Sequence, residues 1–315
     1  MPYRQFTFQD HDSIKNYVHA WSPDRKESLK GLVQIVHGMG EHSLRYEHFA
    51  KVLTDNDYAV YSIDHRGHGL TGKSTNTLGY LGNDGFESLV ANVDQLFTKM
   101  NEEFPQLPMY LFGHSMGSFV AQRYIQLHGE RLNGVILSGS NGRVNSMVNF
   151  GIFLSSRIAK KRGEQFQSNI LNQLSFGSYN KRFQPNRTEF DWLSRDVAEV
   201  DKYIKDPLCG AILTAGSFRD FLRGLKAIQK PQALRDIPKQ LPIYIVSGDK
   251  DPVGEFGKGV FSLFNLYKSY SIANVEYKLY PESRHEILNE ECRNEVTQDI
   301  IGWLKNLWLK QFIDH

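Results

Sequence analysis

Short apolar runs alternate with longer helical patterns along most of this chain, and this alternation limits the folds open to it. Six runs rich in Val, Ile, Leu and Tyr are bounded by Gly, Pro, Asn or Asp, which predicts β-strands. They are Leu32–Val36, Tyr58–Ile63, Met109–Phe112, Gly134–Leu137, Ile243–Val246 and Val275–Leu279. Several are apolar on both faces, as parallel strands covered by helices on each side are. The pattern predicts an α/β fold with a doubly wound, mostly parallel sheet.

Helical patterns and two further strands complete this prediction. The helical stretches fall at about 45–56, 84–103, 116–129, 257–272 and 290–312. In the last of them Val296, Ile300 and Leu304 recur at helical spacing, so one face is apolar. The two N-terminal segments "YRQFTF" and "KNYVHAWS" predict an antiparallel pair at one edge of the sheet.

The alternation stops between residues 141 and 230, where the sequence is helical, aromatic and mixed with basic residues. We therefore predict a helical cap over 141–230, inserted into a core formed by 1–140 and 231–315. Ligand sites in open α/β sheets lie at the carboxyl ends of the strands. An insertion that begins at such an end would cover the site.

The stretch "PMYLFGHSMGSFVAQRYIQL", residues 108–127, carries the strongest chemical signal. Gly113-His114-Ser115-Met116-Gly117 fits the G-x-S-x-G pattern, in which a serine stands on a tight strand-to-helix turn. An apolar strand precedes the pattern and an amphipathic helix follows it, which is the context that such a nucleophile requires. A plain Gly-Ser turn is the alternative interpretation, and its weight depends on whether Ser115 has catalytic partners.

A catalytic serine needs a base, and the base needs a carboxylate that orients it. Three histidines follow Ser115: His128 near the end of the same helix, His315 at the end of the chain, and His285 after a strand-like segment. We predict His285 as the base, because loops at the carboxyl ends of strands reach the serine.

The segment "SGDKDPVG" offers two carboxylates for the orienting role, Asp249 and Asp251. Pro252 favours Asp251, because proline pushes the preceding residue into an extended conformation beyond the end of the strand. Asp249 is expected to cap the turn through its own backbone.

An oxyanion hole needs two backbone N–H groups. Met116, which follows the serine, offers one of them. The loop "VHGMGEHSLRY" after the first parallel strand is Gly-rich, and its Met39 is the second candidate.

The segments "HGMGEHSLRY", "DHRGHGLT", "GHSMGS", "SGDKDPVG" and "SRHEILNE" resemble the monoacylglycerol lipase and lysophospholipase group of serine α/β hydrolases, related to the S33 serine aminopeptidases, and especially its bacterial members. The resemblance extends through the insertion, in "FDWLSRD" and "DPLCG". It implies an α/β-hydrolase fold with a cap, Ser115, Asp251 and His285 as a catalytic triad, and Met39 and Met116 as oxyanion donors. Ser118 departs from the group's pattern, since many relatives have a second glycine there.

Composition excludes several other classes of protein. Lys and Arg number 37 and Asp and Glu 35, a formal net charge of +2, so no strong field would attract nucleic acid. The N-terminus lacks the apolar stretch of a signal peptide. Cys209 and Cys292 form no C-x-x-C pair, and we expect two inert thiols in a cytoplasmic protein.

We expect neither a cofactor nor a metal. The spacing of His37, His42, His65 and His68 does not match a helical metal motif. His42 and His65, together with Asp64, Arg66 and Arg45, are expected to hydrogen-bond the loops around the oxyanion hole.

The cap contributes apolar side chains that we expect to bind an acyl chain. They are Val148, Phe150, Phe153, Leu154, Phe176, Phe218 and Leu222. A basic cluster at 160–162 follows the apolar stretch, a pattern that can rest transiently on a lipid surface.

These features predict a cofactor-free serine hydrolase of monoacylglycerols, lysophospholipids or similar esters with one acyl chain.

One alternative is an aminopeptidase or amidase of the same fold. Relatives resembling proline iminopeptidases usually carry Trp where this chain has Met116, which disfavours it. A second alternative is a binding protein that kept the fold without catalysis. The complete set of Ser, Asp and His disfavours that reading.

Overall fold

A computed structural model describes residues 1–25, 28–142 and 147–310. Within them eight strands form one sheet. The strands are β1 (Tyr3–Gln9), β2 (Lys15–Trp21), β3 (Gly31–Val36), β4 (Tyr58–Asp64), β5 (Met109–His114), β6 (Gly134–Ser138), β7 (Ile243–Gly248) and β8 (Val275–Tyr280). Their order across the sheet is β1-β2-β4-β3-β5-β6-β7-β8.

The direction of the strands follows the burial that the sequence encodes. β3 to β8 pair in parallel, and β3 to β7 are buried along their whole length. β1 and β2 add an antiparallel pair at one edge. The doubly wound α/β sheet predicted from the sequence is confirmed.

The helices occupy both faces of the sheet and the insertion. They are α1 (Glu47–Asp55), α2 (Gly69–Ser74), α3 (Gly85–Glu103), α4 (Met116–His128), α5 (Met147–Arg162), α6 (Asn169–Phe176), α7 (Val197–Lys205), α8 (Ala215–Ile228), α9 (Pro231–Arg235), α10 (Lys258–Ser269) and α11 (Arg293–Lys310). Short 3₁₀ turns lie at Ser43–Tyr46, Gly129–Arg131, Tyr179–Phe183 and Ile287–Asn289.

Two apolar cores lie on opposite faces of the sheet, because side chains alternate along each strand. In β5, Leu111 points into the core that α3, α4 and α10 cover, and Phe112 points into the core under α1 and α11. Each fully buried side chain of this size stabilises the fold by about 1.5–3 kcal/mol. These cores hold the carboxyl ends of β3, β5 and β6 together at one edge of the sheet.

The insertion between β6 and β7 contains α5 to α8 and the short α9. Its last long helix, α8, packs against α3 and α4, and Phe221 lies edge-on to Phe119. α5 lies on the other side of α8. α8 is therefore anchored in the core of the protein although it belongs to the predicted cap segment, and α5 and α6 lie further out. Among the described residues no helix has both the length and the apolar character needed to cross a membrane.

The close packing of α8 on α3 depends on a glycine, and this predicts an effect on stability. A Cβ atom on Gly224 would lie 2.3 Å from the ring of the buried Phe86. We expect Gly224→Ala to lower the free energy of unfolding by about 1–3 kcal/mol, measured by urea denaturation, because the ring must shift in a packed core. Gly302→Ala in α11 is the control. No atom lies within 4 Å of its added methyl, so it should raise stability by up to about 1 kcal/mol. Equal losses in both variants would contradict this account.

Candidate active site

Ser115 occupies the turn that joins β5 to α4. Its backbone has φ 52° and ψ −119°, and residues other than glycine rarely have a positive φ. A Cβ atom on Gly113 would lie 2.5 Å from the carbonyl oxygen of Gly117, and one on Gly117 would lie 2.0 Å from that of Val36. Both glycines of the pattern are thus required by close backbone approaches. The predicted strand, turn and helix are all present around Ser115.

The loop after β3 lies beside Ser115. A Cβ atom on Gly38 would lie 3.2 Å from the Cβ of Ser115, so this loop and the turn are in contact. The N–H of Met39 donates to no backbone acceptor among the described residues. The N–H of Met116 lies in the first turn of α4, where backbone donors lack partners within the helix. The two predicted oxyanion donors therefore lie near the serine with unused hydrogen-bonding capacity.

His37 fixes the start of this loop. Its Nδ1 donates to the carbonyl oxygen of Gly38 at 2.8 Å, and its Nε2 accepts from the backbone N–H of His65 at 3.0 Å. Burial lowers the pKa of His37 well below its usual value, so the ring is neutral and can play both parts. His37 thus ties the loop after β3 to the turn that follows β4.

The structure brings His285 and Asp251 together. His285 Nδ1 lies 2.9 Å from Asp251 Oδ1, and both side chains are buried. The carboxylate is itself held, since Oδ1 accepts from the N–H of Val253 and Oδ2 from the hydroxyl of Ser247, both at 2.8 Å. With Nδ1–H donating to Asp251, Nε2 is left as the basic nitrogen of the ring.

Asp249 takes a different position from the one expected. Its carboxylate hydrogen-bonds the Lys250 ammonium at 3.2 Å and is one-third exposed. The expectation that Asp249 caps the turn through its own backbone is therefore wrong, because the neighbouring cation is a stronger partner for the carboxylate.

Burial and charge shift the pKa values of His285 and Asp251 in opposite directions. Burial alone lowers the pKa of His285, but the charge and hydrogen bond of Asp251 outweigh it and hold that pKa above its usual value. Burial alone raises the pKa of Asp251, and His285, Ser247 and Val253 together bring it below its usual value. Asp251 thus stabilises the protonated form of His285 against the effect of burial.

His128, which also follows Ser115 in the sequence, does not reach it. His128 lies at the far end of α4, 3.8 Å from the carboxylate of Asp94. His315 lies outside the described residues.

A buried ionic network joins the loop after β3 to the loop that carries His285. Arg45 donates to Glu41 at 2.8 Å and, through two nitrogens, to Glu286 at 2.6 and 2.7 Å. Glu41 also accepts the backbone N–H of Gly38 at 2.6 Å. Burial alone raises the pKa of Glu286, but the charge and hydrogen bonds of Arg45 hold it well below its usual value. One guanidinium therefore fixes both loops that flank Ser115.

A cavity of about 420 Å³ opens above Ser115 between the core and the insertion. Its core wall includes Met39, His114, His285 and Glu286. The insertion supplies both apolar and polar groups. They are Asn172, Gln173, Phe176, Gly177, Asn180, Glu189, Phe190, Trp192, Leu193, Tyr203, Gly210, Ala211 and Ile212. This volume and mixed lining suit an amphipathic small molecule.

Phe176 is the one member of the predicted acyl-binding set that lines this cavity. Phe150 and Phe153 are 48% and 59% exposed on α5, and Val148 is half-buried on the same helix. Leu154 and Leu222 pack at the contact of α5 with α8, and Phe218 is buried in the core. Apolar character alone predicted these six as pocket residues. The structure places them elsewhere because α5 turns one side to α8 and the other to solvent.

Trp192 is a site residue that the sequence analysis missed. Its ring centroid lies 5.1 Å from that of His285, and its carbonyl oxygen accepts the N–H of His285 at 3.4 Å. Leu193 accepts the N–H of Glu286 at 2.8 Å in the same way. The signal for Glu286 and Glu41 was their position next to predicted site residues, whereas Trp192 lies in a stretch without any periodic pattern.

The chain matches one protein family over most of its length. The model of the family described as serine aminopeptidase, S33 matches residues 27–292. The monoglyceride lipase of Homo sapiens is 29% identical over 297 residues, which cover 94% of this chain and 86% of that protein. The monoacylglycerol lipase of Mycolicibacterium smegmatis is 26% identical over 301 residues, which cover 95% of this chain and 96% of that protein.

Among solved structures, a thermostable carboxyl esterase from Bacillus coagulans, in complex with glycerol, superposes with a TM-score of 0.91. The two sequences are 30% identical, and the match covers 98% of this chain and 99% of that one.

The network around Arg45 predicts a large loss of stability when the cation alone is removed. Arg45→Met leaves the buried carboxylates of Glu41 and Glu286 without a cation, so we expect the free energy of unfolding to fall by about 3–5 kcal/mol. Urea denaturation measures this loss. Adding Glu41→Gln and Glu286→Gln should recover much of it, because the uncompensated charges are gone. Lys51→Met, which removes a cation from an exposed pair with Asp55, should change stability by less than about 1 kcal/mol. A small effect of Arg45→Met would show that water reaches the network.

Proposed function

Because the chain belongs to the serine aminopeptidase S33 family, and because its relatives include lipases and an esterase, we propose that it hydrolyses monoacylglycerols, lysophospholipids or similar esters with one acyl chain. Hydrolysis of carboxylic esters is common to these relatives and holds for this chain. The proposal concerns the class of ester and the residues that act on it.

One observation carries the catalytic assignment. A buried His285, oriented by Asp251, and Ser115, with its positive φ, line the same cavity, next to a loop in which the N–H of Met39 has no backbone acceptor among the described residues. In this proposal Ser115 is the nucleophile, His285 the base and Asp251 the orienting carboxylate. Met39 and Met116 provide the oxyanion hole.

The reaction follows from these roles. Nε2 of His285 takes the proton of Ser115 as its Oγ attacks the ester carbonyl carbon. The N–H groups of Met39 and Met116 stabilise the oxyanion that forms. The imidazolium, stabilised by Asp251, then protonates the departing alcohol and leaves an acyl-serine. Water, activated by His285, releases the acid and restores Ser115.

The lining of the cavity supports an amphipathic substrate. Phe176, Trp192 and Ile212 offer apolar surface for an acyl chain, and Asn172 offers hydrogen bonds to a polar head group. Each methylene buried there contributes about 0.8 kcal/mol. The related carboxyl esterase was solved with glycerol, the alcohol that a monoacylglycerol releases.

Glu189 favours a second candidate that the same experiment can test. Its carboxylate lies at the cavity, where it can pair with a free amino group, as an aminopeptidase requires. The family description names that activity.

The decisive experiment is a hydrolysis panel on one preparation, with Ser115→Ala as the blank. It contains p-nitrophenyl esters of increasing chain length, monoacylglycerols, lysophosphatidylcholine and amino-acid p-nitroanilides. We expect kcat/KM to rise with acyl length until the pocket is full, and the anilides to react slowly. A profile flat from acetyl to dodecanoyl would exclude an enclosed acyl site. Faster anilide cleavage would establish the aminopeptidase instead.

Comparing the two aspartates tests the triad. Asp251→Asn should lower kcat by about three to four orders of magnitude, because an amide cannot stabilise the imidazolium. Activity of the native enzyme should fall as pH drops through the raised pKa of His285, since the base is then protonated. In Asp251→Asn the residual activity should persist to lower pH, because the negative charge that raises the pKa of His285 is gone. Asp249→Asn is the matched control and should keep both kcat and the pH profile. A large kcat loss in that variant would reassign the orienting acid.

The outer face of α5 motivates a test of lipid contact. Phe150 and Phe153 are exposed there, Arg157 stacks on Phe153 at 5.7 Å, and the helix ends in Lys160-Lys161-Arg162. Aromatic and basic groups on one exposed face are typical of helices that lie in a membrane interface.

We expect Phe150→Ser with Phe153→Ser to weaken association with anionic phospholipid vesicles several-fold in co-sedimentation. Hydrolysis of a dissolved p-nitrophenyl ester should stay unchanged, because neither side chain lines the cavity. Phe261→Ser, which replaces a 50% exposed phenylalanine on α10, is the control. Equal sedimentation of all three proteins would show that α5 does not touch the lipid.

A further inference from the structure

Three side chains of metal-binding type meet where the insertion rests on the loop after β3. His42 follows that loop, and Asp206 and Cys209 follow α7. His42 Nε2 lies 2.8 Å from Asp206 Oδ2. One imidazole nitrogen, one carboxylate oxygen and the Cys209 sulfur all lie within 4.8 Å of one another.

We propose that His42, Asp206 and Cys209 bind a Zn²⁺ ion that links the insertion to the loop bearing Met39. This site goes beyond ester hydrolysis and uses none of the residues assigned to the triad. It also revises the expectation from sequence that the histidines of this region bind no metal. Spacing along the chain could not reveal it, because two of its three members lie more than 160 residues after the first.

The donor set fits zinc. Nitrogen, oxygen and sulfur ligands bind Zn²⁺ at about 2.0–2.3 Å in a tetrahedron, which places the ligand atoms about 3.3–3.8 Å apart. The three ligand atoms lie within 4.8 Å of one another, so side-chain adjustments of about 1 Å would bring them to that spacing.

The ring of His42 is buried, and its Nε2 lies 2.8 Å from Asp206 Oδ2. Zn²⁺ would replace this hydrogen bond and bind both atoms. Nδ1, which points away from Asp206, has no hydrogen-bond partner among the described residues and takes no part in the site.

Cys209 would bind Zn²⁺ as a thiolate, because the thiolate is the form of cysteine that ligates metals. The ion would replace the proton: the S–H bond breaks, an S–Zn bond forms, and the proton passes to solvent.

Charge and access also suit a cation. Arg45 acts electrostatically on Cys209, but it already bonds two carboxylates, Glu41 and Glu286. Lys202 and Arg293, which line the neighbouring cavity, both pair with Glu199. Asp206 and a Cys209 thiolate add negative charge beside Glu41 and Glu286. A cavity of about 690 Å³, lined by His42 and Asp206, reaches the site and leaves room for water as a fourth ligand.

The site has a structural consequence because of its neighbour. Gly210, next to Cys209, donates its N–H to the carbonyl oxygen of Gly40 at 2.8 Å. Bound zinc would thus fasten the segment after α7 to the loop that carries Met39. We expect zinc to raise the melting temperature, since it binds the folded arrangement and not the unfolded chain.

The test uses the full chain, freed of metal with EDTA and kept reduced. Zn²⁺ is titrated by calorimetry, and Co²⁺ is added separately to detect the near-ultraviolet absorption of a cobalt–thiolate bond. We expect one Zn²⁺ per chain, release of a proton and a cobalt–thiolate band. Cys209→Ser should abolish the band, and Cys209→Ser and Asp206→Asn should each weaken zinc binding about 10–100-fold.

Cys292→Ser is the matched control, because it removes the other thiol of the chain. It should keep the stoichiometry, the affinity and the band. Melting curves without metal establish that every variant folds. The proposal would be overturned if the native protein bound Co²⁺ without the cobalt–thiolate band. It would also be overturned if the native protein and Cys209→Ser bound zinc with equal affinity, or if the native protein bound no zinc at a large excess of the ion. Because these readouts do not involve ester hydrolysis, their failure would leave the proposed function untouched.

Discussion

The close approach of α4 to the end of β3 is the constraint on which the site depends. Gly117 packs so tightly on the carbonyl oxygen of Val36 that no side chain fits between them. This contact turns the chain sharply at Ser115 and brings the serine beside the loop that begins at His37. The two parallel strands β3 and β5 end level with each other, since Val36 pairs with Gly113. Sheet register and one glycine thus place the serine and the loop of Met39 together.

Buried ion pairs then hold in place the two loops that packing has brought close to Ser115. The guanidinium of Arg45 joins Glu41, next to the loop after β3, to Glu286, next to His285. Such a network is costly to bury unless every charge has a partner. Here each carboxylate has several hydrogen-bond partners. The network therefore fixes the positions of both loops, whereas a flexible loop would make the distances between the reacting groups variable.

Much of this arrangement could be predicted because it follows from local rules. Strands and helices were visible from periodicity, and the fold and the family resemblance are confirmed by the sheet and the comparisons. Pro252 distinguished Asp251 from Asp249, and the structure places Asp251 against His285. Periodic burial and backbone restriction act within a few residues, which is why a sequence displays them.

The insertion was harder to predict for a physical reason. Apolar residues on α5 alternate between a face packed on α8 and a face in solvent, and composition does not tell which is which. Trp192 reaches His285 through contacts between segments almost a hundred residues apart. The cavity wall from Asn172 to Ile212 likewise depends on how irregular loops pack, which no local pattern encodes.

The backbone of the insertion is part of the support of His285, and this limits how such enzymes can diverge. The carbonyl oxygens of Trp192 and Leu193 hold the amides of His285 and Glu286, and Arg284 bonds the carbonyl oxygens of Asp191 and Ser194. A chimera that exchanges the whole insertion for that of a relative would therefore remove the bracing of its own histidine. Recombination that alters substrate preference is better tolerated in α6, upstream of this brace, because α6 contributes to the cavity wall while residues 191–194 stay in place.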